Sequence, residues 1–255
     1  MGRPSGLPIR IVLRPAAAEA TREDDAGLMD VRLLYHTPDP ERAMAAAARL
    51  CYAPVGAAEL LDSMSPEAVL KVLKTVITSG HHSALEHASY TFAIDGVSRA
   101  MTHQLVRHRL ASYNQQSQRY VAWAERPEFV VPPAVEADET AKSRFEDAVS
   151  ASFAAYRDLI ELGVAPEDAR YVLPNATETK IVVTMNVREL LHFLTLRCCK
   201  RAQWEIRDLA LRMLELAEPT APYVFLDAGA ACRRAACPEG SMTCGEPYAK
   251  APRRD

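Results

Sequence analysis

The stretch QLVRHRLASYNQQSQRY, residues 104–120, holds three arginines, a histidine and nine amide or hydroxyl side chains in seventeen positions. On a helix, Gln104, Arg107 and His108 share one face by the i, i+3, i+4 rule, and the C-terminal end of the dipole favours cations there. A generic Arg-rich stretch of this kind is a solvated helix end followed by a polar turn. A nucleic-acid-binding module is another plain reading, in which the arginines track phosphates while Tyr113 and Tyr120 stack on bases. The overall charge opposes it: 30 Lys and Arg against 33 Asp and Glu give a net charge of -3, so any phosphate must be met by a local cluster of cations.

Outward from this stretch the chain alternates strand and helix signals. Val97, Met101 and Leu105 mark one face of a helix that carries the arginines at its C-terminal end, and Asp95-Gly96 before it reads as a turn closing a strand over 87–95. Further upstream, Ser65-Pro66-Glu67 starts a helix with Ser65 as N-cap, a stripe of Val69, Leu70, Leu73, Val76 and Ile77, and a stop at Gly80. A short strand over 31–35 and an Ala-rich helix over 40–51 precede it. Downstream, a Pro-containing loop over 127–133 leads to one long helix over 135–162 that Gly163 stops, and a short helix opens at Pro166. The β-branched run 179–185 reads as a buried strand, Asn186-Val187-Arg188-Glu189 as a capping box, and Ile206, Leu209, Ala210, Met213 and Leu216 as the core stripe of a last helix ended by Pro219. Interleaved strands and helices of this kind predict an α/β chain in the broad sense, of mixed α+β class.

At 255 residues, with 49% hydrophobic and 7% aromatic side chains, the chain can bury a sizeable core. The expected organisation is an N-terminal extension over 1–28 without an amphipathic face, one compact unit over 29–227, and a Cys-containing tail over 228–255. No apolar run reaches membrane-spanning length and no signal-peptide core is visible, which predicts a cytoplasmic protein without a membrane partner. Six cysteines in such a chain read as reduced thiols or metal ligands, not a disulfide framework. Cys199 with Cys232, Cys237 and Cys244 could close a tetrahedral structural zinc site, although their spacing matches no common finger; unligated thiols are the alternative.

Arg107, His108 and Arg109, then seven residues, then Ser117 with the trailing Arg119 and Tyr120, resemble the signature of the flavin-dependent thymidylate synthases. Two more blocks, in the family's order, extend the resemblance over residues 31–226: GHHSALEH at 80–87 and ARYVLPNATETKIVVTMNVRELLHFLTLR at 169–197. The resemblance implies that family's fold, a mixed sheet flanked by long helices, with 29–227 as the catalytic domain. It further implies a homotetramer with shared sites, in which NADPH reduces FAD, methylenetetrahydrofolate supplies one carbon, dUMP is converted to dTMP and tetrahydrofolate is released. The hard redox chemistry then belongs to the flavin. No protein thiol needs to attack the uracil, and none of the six cysteines falls in the three blocks.

Residue by residue, the resemblance assigns Ser83, Arg107, His108, Arg109, Asn186, Arg188 and His192 to FAD. It gives Gln104, Ser117, Gln118, Arg119 and Arg170 to the nucleotide, Gln115 to both ligands, and His81 to the neighbourhood of flavin and folate. Arg197 matches the arginine set against the uracil, where it stabilises negative charge on the ring. Asn186 also serves as a plain N-cap, and the two roles can coexist. Some members carry Glu at the position of Gln115 and Asn at that of His192; both exchanges keep hydrogen-bonding capacity. A paralogue that passes a one-carbon or hydroxymethyl group to another pyrimidine nucleotide is the nearest alternative.

Overall fold

In the computed structural model, residues 29–121 and 128–252 are described, so the expected extension over 1–28 lies outside them. Among these residues four strands, β1 (Asp30–His36), β2 (Ser89–Ser98), β3 (Ala111–Gln115) and β4 (Glu178–Asn186), form one sheet in the order β1-β2-β4-β3. Every pairing in it is antiparallel. The α+β class is therefore as expected, but the sheet is antiparallel where the resemblance implied a mixed one. Along β4 the alternation is regular: Thr179, Ile181, Val183 and Met185 are buried, whereas Lys180, Val182 and Thr184 face the other way. Val183 sits opposite Phe92 on one side and Tyr113 on the other, which makes β4 the centre against which the polar strand β3 is registered.

Ten helices accompany the sheet among the described residues: α1 (Pro40–Leu50), α2 (Ala57–Ser63), α3 (Pro66–Thr78), α4 (Arg99–Leu105), α5 (Pro133–Glu136), α6 (Glu139–Glu161), α7 (Pro166–Ala169), α8 (Val187–Arg197), α9 (Trp204–Ala217) and α10 (Pro222–Phe225). Tyr90, Phe92 and Ile94 of β2 join Ile181, Val183 and Met185 of β4 in one core cluster with Leu73 of α3, Phe193 and Leu194 of α8, and Leu209 and Met213 of α9. Ser65 caps α3 by accepting from Ala68 N at 3.3 Å, as its position before Pro66 predicts. Leu70, expected in the buried stripe of that helix, is 41% exposed.

Three local differences from the sequence reading have physical causes. Asp95-Gly96 is not a turn: Ile94 pairs with Ile181 and Val97 with Thr179, so two residues of β2 oppose one of β4 in a bulge, and Gly96 supplies the positive φ of 71° that this needs. The single long helix over 135–162 is two, because the Asp138 side chain accepts from Thr140 N and Ala141 N, both at 2.9 Å, and starts α6 afresh. The polar run after Arg109 is a strand, β3, since β4 offers it an unpaired edge. Beyond these differences, residues 228–252 of the Cys-containing tail lie against the core. Ala228 and Ala230 are buried, Cys232 and Tyr248 pack on the core, and Arg234 Nη2 donates to Thr195 Oγ1 of α8 at 2.7 Å.

One buried carboxylate fixes where α4 begins. Glu205, in the first turn of α9 and 2% exposed, accepts from Ser98 N and from Ser98 Oγ, both at 2.6 Å. Ser98 Oγ in turn accepts from Met101 N at 3.0 Å as the N-cap of α4. These lengths are those of charge-assisted hydrogen bonds. Among the described residues no helix is long and apolar enough to cross a membrane. Removing the Glu205 acceptors leaves two buried donors of Ser98 unmatched, so Glu205→Ala should lower the unfolding free energy by about 3 kcal/mol, read from the midpoint and slope of urea denaturation.

Candidate functional site

The helix that should carry the arginines stops short of them. α4 ends at Leu105, and Arg107, His108 and Arg109 occupy the connection to β3, so the expected shared helical face of Gln104, Arg107 and His108 does not form. Tyr113, the middle residue of β3, holds that turn: its hydroxyl donates toward the carbonyls of Leu105 and His108, at 2.9 and 2.8 Å. Burial, and then the nearby Glu189 carboxyl, push the Tyr113 phenol well above its usual range, so it stays a donor. Arg107 and Arg109 point to solvent on either side of a buried His108.

His108 is the hub of the first group of residues. Arg197, the last residue of α8, donates from Nε to His108 Nε2 at 3.1 Å, and Glu189 of the same helix places Oε1 3.4 Å from His108 Nδ1. The imidazole also lies edge-on to Phe193 and to His192, with ring centroids 5.0 and 6.1 Å apart. Burial first, then the charges of Arg197 and His192, depress its pKa from 6.5 to about 4. The contact with Glu189 therefore joins a neutral ring to a carboxyl group and is not an ion pair at neutral pH. Burial likewise lowers the Arg197 pKa and raises that of Glu189.

The neighbouring blocks meet at this hub. Asn186 Oδ1 accepts from Glu189 N at 2.9 Å, which confirms the N-cap of α8 and leaves the Asn186 amide NH2 unused by that bond. Arg188 Nη1 donates to Glu86 Oε1 at 2.5 Å and ties α8 to the 3-10 turn His82–His87, on which Ser83 is exposed; His81 precedes that turn and is exposed as well. His192 is exposed one turn beyond Arg188.

A second group lies at the other end of α4 and β3. Arg119 Nε pairs with the Glu167 carboxylate, and Arg170 Nε donates to the Glu167 carbonyl at 2.9 Å, so two of the nucleotide candidates meet on α7. Arg99, which sequence reading passed over, adds a third cation: burial and the charge of Arg170 both lower its pKa, and its Nη1 donates to the Gln116 carbonyl at 3.3 Å. Its signal in the sequence was faint, one arginine at the start of a helix. Gln115 is half-buried between the groups and donates to Thr102 Oγ1 and Thr179 Oγ1, at 2.9 and 3.3 Å. Ser117 Oγ accepts from Arg119 N at 3.1 Å and the adjacent Gln118 is half-buried, whereas Gln104, also half-buried, lies in the last turn of α4 on the side of the first group. The two groups sit at opposite ends of β3, a span of roughly 13 Å over four residue steps.

Residues 32–223 match the model of the thymidylate synthase complementing protein family. The chain belongs to that family. A flavin-dependent thymidylate synthase of Geobacter sulfurreducens is 58% identical over 219 residues, covering 86% of this chain and 94% of that protein. Another, from Clostridium tetani, is 47% identical over 232 residues, covering 85% and 93%. Among solved structures, a UMP/dUMP methylase from Streptomyces cacaoi bound with 5-Br dUMP aligns with a TM-score of 0.69 at 25% identity, over 80% of this chain and 97% of that one.

The family match ends before Cys232, Cys237 and Cys244. Together with Cys199 these residues line one cavity of about 380 Å³ beside Arg197, yet among the described residues no group of three or more His, Cys, Asp or Glu is placed to hold a metal ion. The tetrahedral zinc site expected as an alternative is therefore not formed; the four thiols ring the cavity without converging. Cys198 is buried, and burial pushes its thiol up to about 12.

The depressed His108 pKa has a stability consequence. Below pH 6.5 the unfolded chain takes up a proton that the folded site refuses until about pH 4, so this contribution is present above pH 6.5 and is lost as pH falls across that window. Urea midpoints measured at pH 7.5 and pH 5 should show the wild type losing more stability on acidification than His108→Gln, which keeps an acceptor for Arg197 and has no proton to gain.

Proposed function

We propose that this family member is a flavin-dependent thymidylate synthase of the cytoplasm that converts dUMP to dTMP. The observation that carries the reading is Arg197: a half-buried guanidinium at the end of α8, held by its Nε and free to present its outer nitrogens to a ligand. Such a cation suits a pyrimidine ring that gains negative charge as its C5 is alkylated, and its partial burial strengthens that stabilisation. No thiolate is asked to attack. Cys198, adjacent to Arg197, is buried and protonated and is ill suited to the task.

The donor set fits FAD. Arg107, Arg109 and Arg188 are exposed cations around one turn and one helix start, a composition suited to a pyrophosphate, with the hydroxyl of Ser83 and the free amide NH2 of Asn186 beside them. His192 is exposed one turn beyond Arg188 and His81 is exposed just before the turn that carries Ser83, and we assign His81 to folate. When bound, flavin reduced by NADPH supplies the hydride that completes the methyl group, with the carbon coming from methylenetetrahydrofolate. The chain's own work is to orient and polarise. Arg119, exchanging the Glu167 carboxylate for phosphate, and Arg170, anchored by its Nε on the Glu167 carbonyl, bind the dUMP phosphate with Arg99 adding charge behind them, and Gln104, Ser117 and Gln118 bond the sugar and phosphate. Gln115 keeps its amide oxygen for ligand while its NH2 is anchored on Thr102 and Thr179.

The separation of the two groups along β3 supports a site shared between two chains of the homotetramer that we assign from the family resemblance. Flavin and phosphate candidates at opposite ends of one strand come into a single pocket when the end from one chain meets the other end from a second. The 58% identity to a thymidylate synthase, against 25% to the UMP/dUMP methylase, favours dUMP over UMP as the acceptor.

Purified protein incubated with FAD, NADPH, methylenetetrahydrofolate and dUMP should yield dTMP and tetrahydrofolate; flavin-loaded protein that makes no dTMP would overturn the reading. Arg197→Ala should lower turnover by roughly 100- to 1000-fold while FAD affinity changes by no more than about twofold. Equal loss of both would remove Arg197 from the pyrimidine.

A further inference from the structure

Glu189 stands where a capping box puts its acidic partner, yet its carboxyl group faces inward. Asn186 alone caps the helix, and the Glu189 side chain is buried, with Oε1 3.4 Å from His108 Nδ1. A capping glutamate could remain in water at the helix surface, so burial here asks for a different partner. Arg197 identifies that partner. A guanidinium nitrogen only donates, so His108 Nε2, which receives Arg197 Nε at 3.1 Å, must carry a lone pair, and the ring proton must sit on Nδ1, the nitrogen turned toward Glu189.

We propose that Glu189 is a positioning residue: it holds the His108 proton on Nδ1, so that Nε2 stays an acceptor that fixes the plane and reach of the Arg197 guanidinium. The inference rests on the role given to Arg197 above. Without the carboxyl oxygen the ring is free to move its proton to Nε2. Two N–H groups would then confront each other across the 3.1 Å contact, and Arg197 would turn away from its place beside the ligand. The other polar groups around the pair do not replace Glu189. Tyr113 spends its hydroxyl proton on the Leu105 and His108 carbonyls, and His192 packs edge-on to the His108 ring from the exposed side of α8.

The test joins a spectrum to kinetics. In flavin-loaded enzyme labelled with imidazole-15N histidine, the His108 signals, identified by their loss in His108→Gln, should show a protonated Nδ1 and an unprotonated Nε2. Glu189→Leu should populate the Nε2–H form and lower dTMP turnover by roughly 10- to 100-fold at unchanged flavin content. Glu189→Gln, whose amide oxygen still accepts, should keep the Nδ1–H form and lose clearly less. A wild-type ring protonated on Nε2 overturns the proposal, as does a Leu variant that turns over like the wild type, or equal losses in the Leu and Gln variants. If the Leu variant does not fold, the wild-type spectrum and the Gln variant decide. Absence of dTMP from the wild type overturns the functional reading and with it the pyrimidine-facing purpose of Arg197, whereas the tautomer is decided by the spectrum alone.

Discussion

Glu205 reaches from α9 across the core to seize both donors of Ser98, and most of the site hangs from that grip. Ser98 is the last residue of β2 and the cap of α4, so fixing it sets the angle at which the short helix leaves the sheet. α4 then sets where Arg107, His108 and Arg109 emerge, and Tyr113 closes the turn by taking hold of its carbonyls. Seven residues of helix have little stability of their own. Their position is inherited from a carboxylate buried on another element, which is why burial raises the Glu205 pKa while the two Ser98 bonds pull it down.

The parts of the fold legible in the sequence are those where one local rule decides. Ser65 before Pro66, the β-branched run of β4 and the 3.6-residue stripe of α9 each specify their element without help. β3 escaped because its residues, Ala-Ser-Tyr-Asn-Gln, carry no strand pattern; it is a strand because β4 has an edge to fill, a fact held by distant residues. Glu189 is the same lesson in the site. Its position in Asn-x-x-Glu suggests a cap, and only the packing of α8 against the α4 to β3 turn reveals that it faces a histidine. Arg197, His108 and Arg188 were visible through their resemblance to a family signature, but that resemblance named ligands and was silent on how the side chains hold one another.

The first group of residues is economical in its use of α8. Asn186 starts the helix, Arg188 leans on Glu86, Glu189 turns in to His108, and Arg197 returns to the same ring two turns later. One imidazole, 5% exposed, thus spans a helix from its first turn to its last. A neutral ring is suited to the place, since a charged one would repel the Arg197 guanidinium it is meant to steady.

The bulge at Asp95-Gly96 gives this arrangement its parity. Along β2 the inward positions run Tyr90, Phe92, Ile94 and would next fall on Gly96 and Ser98, but the extra residue moves the beat so that Val97 enters the core. Ser98, the last residue of β2 and still opposite Glu178 of β4, is buried at the point where the chain leaves the strand, and its amide and hydroxyl both meet Glu205. One glycine outside both groups of side chains thus acts as the half-step that puts the turn bearing Arg107, His108 and Arg109 in phase with the rest of the molecule.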